Sequence, residues 1–285
     1  MTWNLSAFAD EAGNSCDEQI AALQRAGLNL IDIRFLETFN ISELPLDIAQ
    51  TAAEKLSAAG VSVQMFGSPI GKIDIADDLE IDIKKLRHLA ALAPIFNCRS
   101  VRIFSYFNQS ERAHEAWETE SLQRLSTLKD EAQALGLVLY HENESHIFGD
   151  KCADVFTIAS ALRDDNFRMI FDFDNYNQNG ENVWQNWQKL KNVTDAFHLK
   201  DSTPEGQHVV IGQGAGYAKE ILSDALQSGW NGLLSLEPHL NHSGAVAATG
   251  PGGIANQEFQ NMSEADSFHL AAQEATALLK EIGAQ

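Results

Sequence analysis

The stretch that decides the fold reads Leu137-Val-Leu-Tyr-His-Glu-Asn-Glu144. Four apolar residues in succession predict a buried strand. An imidazole and two carboxylates follow without a spacer. Unpaired charge beside a hydrophobic core is costly. A buried strand that ends in acids therefore indicates that a cation is bound at that end.

Three later stretches have the same form, an apolar strand followed by a carboxylate or an imidazole. They are Met169-Ile-Phe-Asp172, Ala196-Phe-His198 and Leu233-Leu-Ser-Leu-Glu237. Because the apolar run in each predicts a buried strand, the polar residue at its end faces the same cost of burial. Four such strand ends in one chain predict side chains that converge on a single metal ion.

Short apolar runs alternate with longer amphipathic segments along the whole chain. Gly27, Gly60, Gly136 and Gly229 each follow a predicted helix, and glycine supplies the left-handed conformation that ends a helix. The predicted strands are 4–9, 28–34, 61–66, 100–104, 137–144, 168–173, 194–199 and 232–237. The predicted helices are 15–26, 46–59, 78–96, 111–135, 151–162, 181–190, 217–228 and 263–282.

Eight strand–helix units at a spacing of roughly 35 residues predict an α/β fold, a (β/α)8 TIM barrel. The barrel is expected to form a single domain over residues 1–285, because no linker is evident. An open doubly wound sheet shares the alternation and is the alternative. The eight units, and the lack of a glycine-rich dinucleotide-binding sequence after the first strand, favour the barrel. Residues 244–255 are predicted to form a flexible loop.

The composition argues against several classes of function. The formal net charge of -20 disfavours a nucleic-acid partner, which needs a basic footprint, and an anionic membrane surface. No run of about 18 apolar residues is present, and no basic region of a secretory signal opens the chain. Cys16, Cys98 and Cys152 are widely spaced, as in proteins of the reducing cytoplasm. The expected partner is a small molecule, and a homo-oligomer is left open.

In a barrel of this kind the chemistry lies at the carboxyl-terminal ends of the strands. Oxygen ligands with a single histidine suit a hard divalent ion. Mn²⁺ is the first choice, and Mg²⁺, Co²⁺ and Zn²⁺ are left open. The polar residues at the predicted strand ends are Asp10, Glu11, Arg34, Ser68, Lys72, Arg102, His141, Glu142, Glu144, Asp172, Asn175, His198, Lys200, Glu237 and His239.

Six motifs carry a resemblance to a known family. Four follow the last four predicted strands: His141-Glu-Asn-Glu144, Phe171-Asp-Phe-Asp-Asn-Tyr176, Phe197-His-Leu-Lys-Asp201 and Leu236-Glu-Pro-His-Leu240. The others are Gly67-Ser-Pro-Ile-Gly-Lys72 and Arg102-Ile-Phe-Ser105. Together they resemble the xylose isomerase-like barrel superfamily, specifically its sugar phosphate isomerase/epimerase group. The resemblance covers nearly the whole chain.

The resemblance implies a metal-dependent isomerase or epimerase acting on a sugar or sugar phosphate. Its metal ligands would be Glu142, Asp172, His198 and Glu237, with the two glutamates also acting as acid and base. A divalent cation stabilises the enediolate formed by proton removal next to a carbonyl, and a carboxylate on each face can remove and return that proton. His198 would be neutral and oriented by an acceptor behind it. The candidate substrate-binding residues are Lys72, Arg102, His141, Asn175 and Lys200.

The chain departs from the epimerase pattern at two places near the substrate. After strand six those epimerases often present a further histidine to the substrate, where this chain has Asn175. After strand seven they tend to carry an arginine, where this chain has Lys200. Neither difference touches the implied metal ligands. The two differences argue against a free ketohexose as the substrate and leave open a sugar phosphate, an inositol-derived ketone or a sugar acid.

Three other functions stay open at this stage. A metal-dependent dehydratase or lyase on a keto-cyclitol or keto sugar would use the same proton abstraction and lose one water. An endonuclease acting at abasic DNA shares the superfamily but needs a multi-histidine cluster and a basic groove, so the net charge of -20 and the few histidines at strand ends speak against it. A non-catalytic barrel would bind sugar without exchanging its α-proton. Simple local roles are assigned to Asp10 and Glu11 (turn and helix entry), Asp174 (Asx turn) and the glycines of residues 212–216 (turn).

Overall fold

The computed structural model describes residues 2–249 and 253–285. In this part of the chain eight strands close into a barrel, and each pairs in parallel with its sequence neighbours. The first and last strands close it, with Leu5 opposite Leu234. The predicted (β/α)8 TIM barrel is confirmed. The strands are β1 (Leu5–Ala7), β2 (Leu30–Ile33), β3 (Ser62–Phe66), β4 (Ser100–Ile103), β5 (Val138–Glu142), β6 (Phe167–Asp172), β7 (Ala196–Leu199) and β8 (Leu233–Leu236).

Helices surround the barrel. Those of the described residues are α1 (Cys16–Ala26), α2 (Leu46–Ala58), α3 (Glu80–Phe96), α4 (His114–Ala134), α5 (Cys152–Leu162), α6 (Phe173–Gln178), α7 (Val183–Leu190), α8 (Ala218–Gln227), α9 (Gly244–Ala248), α10 (Gln257–Gln260) and α11 (Glu264–Glu281). Short 3-10 helices lie at Ala9–Glu11, Ile41–Glu43 and Phe148–Asp150. Two-residue strands pair outside the barrel, Phe35–Leu36 with Phe39–Asn40 and Asp201–Ser202 with His208–Val209.

Local sequence sets the boundaries of α1. The Ser15 side chain accepts a hydrogen bond from the Glu18 amide, and the Glu18 carboxylate accepts one from the Ser15 amide. This reciprocal capping satisfies two amides that a helix start leaves without partners. At the other end Gly27 takes a left-handed φ of 70°, which glycine adopts without steric cost. The helix predicted over residues 15–26 therefore forms as expected.

The main core lies between the barrel and the helices. Successive strand residues point to opposite faces, so alternate residues of each strand pack outwards. Phe171 of β6 and Phe197 of β7 contact Trp187 of α7, with ring centroids 5.9 and 5.4 Å apart. All three side chains are buried. The inward-facing positions include His198, next to Phe197, and apolar residues such as Ile170 and Ala196.

Two loop predictions differ from the structure. The sixth strand ends at Asp172 because its side chain caps α6, so Asp174 lies within a helix rather than an Asx turn. Asp174 Oδ2 lies 3.2 Å from His208 Nε2. The loop predicted over residues 244–255 contains α9, which Ser243 caps by accepting from the Val246 amide. Residues 250–252 of that prediction lie outside the described residues.

Two features bear on the chemical setting. All three cysteines are free and buried. Among the described helices, none combines the length and apolar character needed to cross a membrane.

Candidate metal and active site

Four strand ends meet at the carboxyl-terminal mouth of the barrel. The last residues of β5 and β6 are Glu142 and Asp172, while His198 lies in β7 and Glu237 directly follows β8. All four side chains are buried, and one ligand atom from each lies within 4.8 Å of the others. Parallel strands present their carboxyl ends at one edge of a barrel. The structure thus brings together the four residues singled out in the sequence.

Contacts inside this cluster leave carboxylate oxygens without donors. His198 Nδ1 lies 2.8 Å from Glu142 Oε1 and 3.4 Å from Glu237 Oε2. Glu142 Oε2 and Asp172 Oδ2 are buried and accept no hydrogen bond from any described residue. Buried polar atoms normally have partners, and carboxylate oxygens are ligands for hard divalent cations. The cluster could therefore hold a divalent metal ion.

The Asp172 side chain is fixed by its neighbours in the fold. Its Oδ1 accepts the Asn175 amide at 2.8 Å and so starts α6. Asn143, which follows β5, accepts the Asp172 amide at 2.9 Å and donates to the Asp172 carbonyl at 3.1 Å. Asn175 Nδ2 donates in turn to the Asn143 carbonyl at 2.8 Å. These bonds lock two neighbouring strand ends together and leave Asp172 Oδ2 facing the cluster.

Two cations lie against the carboxylates. Arg102 Nη1 is 3.1 Å from Glu237 Oε1 and 3.3 Å from Glu142 Oε2. Lys200 Nζ is 3.1 Å from Asp172 Oδ2 and 3.8 Å from Glu237 Oε2. Arg102 and Lys200 form ion pairs with Glu142 Oε2 and Asp172 Oδ2, but these contacts do not have the geometry of hydrogen bonds. Arg102 and Lys200 are thus placed to stabilise negative charge at the mouth of the barrel.

Burial and charge together set the protonation of the cluster. Burial raises the pKa of Glu142, but His198 and Arg102 outweigh it and lower that pKa to about 2. Burial also raises the pKa of Glu237, but Lys200 and the hydrogen bond from His198 bring it well below its usual value. Burial lowers the pKa of His198, but Glu142 outweighs it and raises the pKa to about 10. Without metal, two carboxylates therefore hold a protonated imidazole, which a metal ion would have to deprotonate.

A buried arginine supports Glu237 from the side of β1 and β2. Arg34 donates to both oxygens of Asp10, from Nε at 2.8 Å and from Nη2 at 2.9 Å. Its Nη1 donates to Glu237 Oε1 at 2.9 Å. The side chains of Arg34 and Asp10 are each 1% exposed. Asp10, assigned to a turn from the sequence, is thus part of the site. Two acids after an apolar strand, the pattern of β5, were the signal that could have indicated it.

Glu11 and His239 lie behind the same arginine. Glu11 Oε2 accepts the His239 amide at 2.8 Å, and His239 holds a left-handed φ of 52°. His239 Nε2 is 3.4 Å from Arg34 Nη1. Burial raises the pKa of Glu11 to about 8 despite the opposing effect of Arg34. Glu11 is therefore a largely protonated carboxyl at neutral pH, and it anchors a strained turn next to Glu237.

His141 lies away from the cluster, contrary to its predicted role as a substrate-binding residue. Its Nε2 lies 2.8 Å from Ser105 Oγ, and its ring packs against Gly149, where an added Cβ would lie 2.6 Å from Cε1. The side chain is fully buried. The physical reason is the alternation of a strand, because neighbours point to opposite faces. Glu142 faces into the barrel, so His141 faces the helices.

Lys72 and Asn175, which are candidate substrate-binding residues from the sequence, both line the space over the cluster. Lys72 Nζ pairs with Glu144 Oε2 at 2.8 Å and lies 4.5 Å from the ring centroid of Phe104. The space directly over the cluster is about 10 Å³, whereas an adjoining cavity is about 280 Å³. Both spaces are lined by Lys72, Arg102 and Thr249; Asn175 and Lys200 line the smaller one, and Arg34 and Phe104 the larger.

The glycine-rich loop after β7 is filled by the chain itself. Asp201 Oδ2 accepts the amides of Gly212 and Gly214 at 2.9 and 3.0 Å, and its Oδ1 accepts the amide of Gly216 at 3.0 Å. Converging backbone amides form a site for an anion. Here a carboxylate of the chain is that anion. The simple turn expected from the sequence is thus a carboxylate-filled loop.

Comparisons with known proteins give a family and a fold. The family model described as xylose isomerase-like TIM barrel matches residues 20–262. Among curated proteins, none is significantly similar in sequence to this chain.

Solved structures with the same fold are distant in sequence. A structure of the IOLI protein with a zinc atom superposes with a TM-score of 0.75 and 13% identity, covering 99% of this chain and 100% of that one. The probable 3-DHS dehydratase AsbF from Bacillus anthracis gives 0.71 and 15%, covering 97% and 99%. An L-ribulose 3-epimerase gives 0.67 and 17%, covering 99% and 94%. At these identities the likeness shows the fold.

Proposed function

The chain belongs to the xylose isomerase-like TIM barrel family, and we propose that it is a divalent-metal-dependent isomerase or epimerase of a sugar or sugar phosphate. The observation that carries the proposal is the buried convergence of three carboxylates and one imidazole on one point. We propose Glu142, Asp172, His198 and Glu237 as the ligands and Mn²⁺ as the ion, because oxygen-rich sites with one imidazole suit it. When bound, the ion supplies a Lewis acid that stabilises negative charge on a substrate oxygen.

The proton transfer is assigned to the two glutamates. Glu142 and Glu237 approach His198 Nδ1 from different strands, at 2.8 and 3.4 Å. Both have lowered pKa values, Glu142 to about 2, so each is present as the carboxylate that can accept a proton. One glutamate would remove the proton next to the carbonyl, and the other, after taking up a proton from solvent, would deliver that proton to the opposite face.

The substrate is proposed to occupy the 280 Å³ cavity next to the cluster. The 10 Å³ directly over the cluster holds little more than one water-sized probe, so only the reacting end can reach it. Arg102 lines both spaces, and its Nε is buried without an acceptor among the described residues. The proposed donors to substrate oxygens are therefore Arg102, Lys72 and Lys200, together with the side-chain amide of Asn175.

Of the two substrate types, a sugar without phosphate is favoured. TIM barrels frequently bind phosphate with the loops after strands seven and eight. In this chain Asp201 takes up the amides of the glycine loop after β7, and a second anion beside that carboxylate would be repelled. A phosphate would have to lie at Lys72 and Arg102 instead.

A dehydratase is the second candidate, supported by the fold similarity to the probable 3-DHS dehydratase. Proton removal by Glu142 or Glu237 would be the same, and the buried ammonium of Lys200 could protonate a departing hydroxyl. Burial lowers the pKa of Lys200, but Asp172 and Glu237 outweigh it and hold it well above its usual value. Lys200 is thus protonated before the reaction, but it is a weak acid. The product mass separates the two reactions, because a dehydratase product is one water lighter.

Solvent exchange tests the proposal without assuming a product. The protein is incubated in heavy water with Mn²⁺ and a panel of sugars, sugar phosphates and keto-cyclitols, and deuterium incorporation is measured by mass spectrometry. We expect exchange of one carbon-bound proton, its loss with a chelator, and its recovery with Mn²⁺. Glu237→Gln should abolish it, and Glu220→Gln, a change at an exposed helix position, should not. Exchange that survives verified metal removal would overturn the proposal.

Location in the cytoplasm and the oligomeric state stay predictions.

A further inference from the structure

A layer of polar side chains lies inside the barrel beneath the metal cluster. Ser6 of β1 pairs in register with Ser235 of β8, which pairs in register with His198 of β7. Asp32 comes from β2, two residues beyond the partner of Ser6. All four side chains are buried. Asp32 was given no role from the sequence, where it stands between two isoleucines in a predicted strand.

The hydrogen bonds of this layer are incomplete. Gln64 Nε2 donates to Asp32 Oδ1 at 3.4 Å and to Ser235 Oγ at 3.2 Å. No described residue makes a hydrogen bond to Asp32 Oδ2, Ser6 Oγ or His198 Nε2, although all three atoms are buried. Polar atoms in such positions normally find partners, directly or through a bound water. Two oxygen atoms and one imidazole nitrogen in the barrel interior thus lack hydrogen-bond partners.

The orientation of His198 makes its second nitrogen important. Its Nδ1 faces Glu142 and Glu237, so Nε2 is on the other side of the ring, away from the carboxylates. If Nδ1 binds a metal, the imidazole proton must be on Nε2. An N–H at that position needs an acceptor, and metal-bound histidines almost always have one.

Asp32 has the properties of that acceptor. Burial raises its pKa to about 6, while Ser235, His198 and Ser6 act in the opposite direction. Gln64 Nε2 also links Asp32 Oδ1 to Ser235, the register partner of His198. Among the salt bridges of the described residues, none includes Asp32. A buried carboxylate without an ion pair costs stability, and its presence in a barrel interior calls for a compensating role.

We infer that Asp32 is a positioning residue for His198, accepting the Nε2 hydrogen directly or through one water and so directing Nδ1 to the metal. The inference rests on the proposed metal site. It also explains why an acid stands where most inward positions of a barrel are apolar. Asp32 touches neither the metal nor the substrate, and its effect passes through the imidazole.

The test measures metal affinity and stability in the same variants. Asp32→Asn keeps the shape and an acceptor oxygen but loses the charge. Asp32→Leu loses both the acceptor oxygens and the charge. We expect the dissociation constant for Mn²⁺ to rise about 10- to 100-fold in Asp32→Leu, and less in Asp32→Asn, the range for lost partners of metal-bound ligands. The melting temperature of both metal-free variants should stay close to that of the wild type, because the loss of an acceptor for the His198 Nε2 hydrogen is offset by the removal of a buried carboxylate.

The matched control removes the other contact of Asp32. Gln64→Leu deletes the amide that donates to Asp32 and to Ser235 but keeps the Asp32 carboxylate, and should lower the Mn²⁺ affinity less than Asp32→Leu does. The visible absorption of the Co²⁺-loaded proteins gives a second readout, with an altered spectrum expected for Asp32→Leu at saturating Co²⁺.

Three results would overturn the inference. They are an unchanged Mn²⁺ affinity in both Asp32 variants, a loss of Mn²⁺ affinity in Gln64→Leu as large as in Asp32→Leu, or a loss of Mn²⁺ affinity in the Asp32 variants that is explained by a large fall in their metal-free melting temperature. A wild-type protein that binds no Mn²⁺ would instead overturn the proposed metal site, and the inference with it.

Discussion

Replacing Asp10 by asparagine should destabilise the metal-free barrel strongly although the side chain keeps its shape. Asp10 accepts two hydrogen bonds from Arg34, at 2.8 and 2.9 Å, and one from the Phe35 amide at 3.2 Å. Asparagine presents an NH₂ group to one of the two guanidinium donors. Arg34 would keep Glu237 at 2.9 Å, but it would lose the only carboxylate that binds it through two oxygens among the described residues.

The expected size follows from these contacts. Hydrogen bonds to charged groups contribute about 1.5–3 kcal/mol each, and removing one partner of a buried ion pair costs about 3–5 kcal/mol. Glu11, 3.5 Å from Arg34, can ionise and offset part of the loss. We therefore expect the lower end, about 3 kcal/mol. At about 2–4 °C per kcal/mol, the melting temperature should fall by roughly 6–12 °C.

Thermal unfolding followed by circular dichroism, with a chelator present, measures this effect. The matched control is Asp17→Asn, because Asp17 pairs with Lys55 at 2.7 Å but its side chain is 72% exposed. Exposed pairs contribute about 0–1 kcal/mol, so the control should lose no more than about 4 °C. Equal melting temperatures for the two variants would refute the reasoning that burial, and not distance, sets the strength of the pair.

Three further outcomes are expected. Gly71→Ala should lower the melting temperature far more than Gly180→Ala. Both glycines have a positive φ, but of the two only Gly71 lies where an added Cβ would clash with the backbone just past β4. Similar falls in melting temperature for the two variants would contradict this. Glu11 has its pKa raised by burial from 4.5 to about 8, so between these pH values the native state holds a proton that the unfolded state has lost, and stability falls as pH rises. Glu11→Gln should therefore be more stable than the wild type at pH 8 and equal to it near pH 4.5 by urea unfolding, and a constant difference would exclude this. Mn²⁺ titration should show affinity retained in His141→Gln and lost in His198→Gln, and loss in both would return His141 to the site.

The alternation of elements could be predicted because its signals are local. Apolar runs, amphipathic segments and glycines such as Gly27 act within a few residues. The structure moves the predicted boundaries by one to three residues at most sites, as for β2, predicted over 28–34 and observed over Leu30–Ile33. The small helix α6 was missed because the capping role of Asp172 depends on where β6 ends.

The candidate site was only partly predictable. Glu142, Asp172, His198 and Glu237 share a signature, an acid or imidazole at the end of an apolar run, and barrel geometry gathers such ends. His141 was misassigned although the period of a strand held the answer, since it precedes Glu142 and must face the other way.

What the sequence determined by itself is the barrel and the residue types at its carboxyl-terminal edge, because both are encoded in local patterns, amphipathic segments and apolar runs followed by an acid or an imidazole. Only the tertiary structure decided the pairing of Asp10 with Arg34, the filling of the glycine loop by Asp201, and the contact of Asp32 with Gln64. Each of these joins side chains from different strands or loops. Such contacts depend on barrel closure and on the register between strands, which no local pattern specifies.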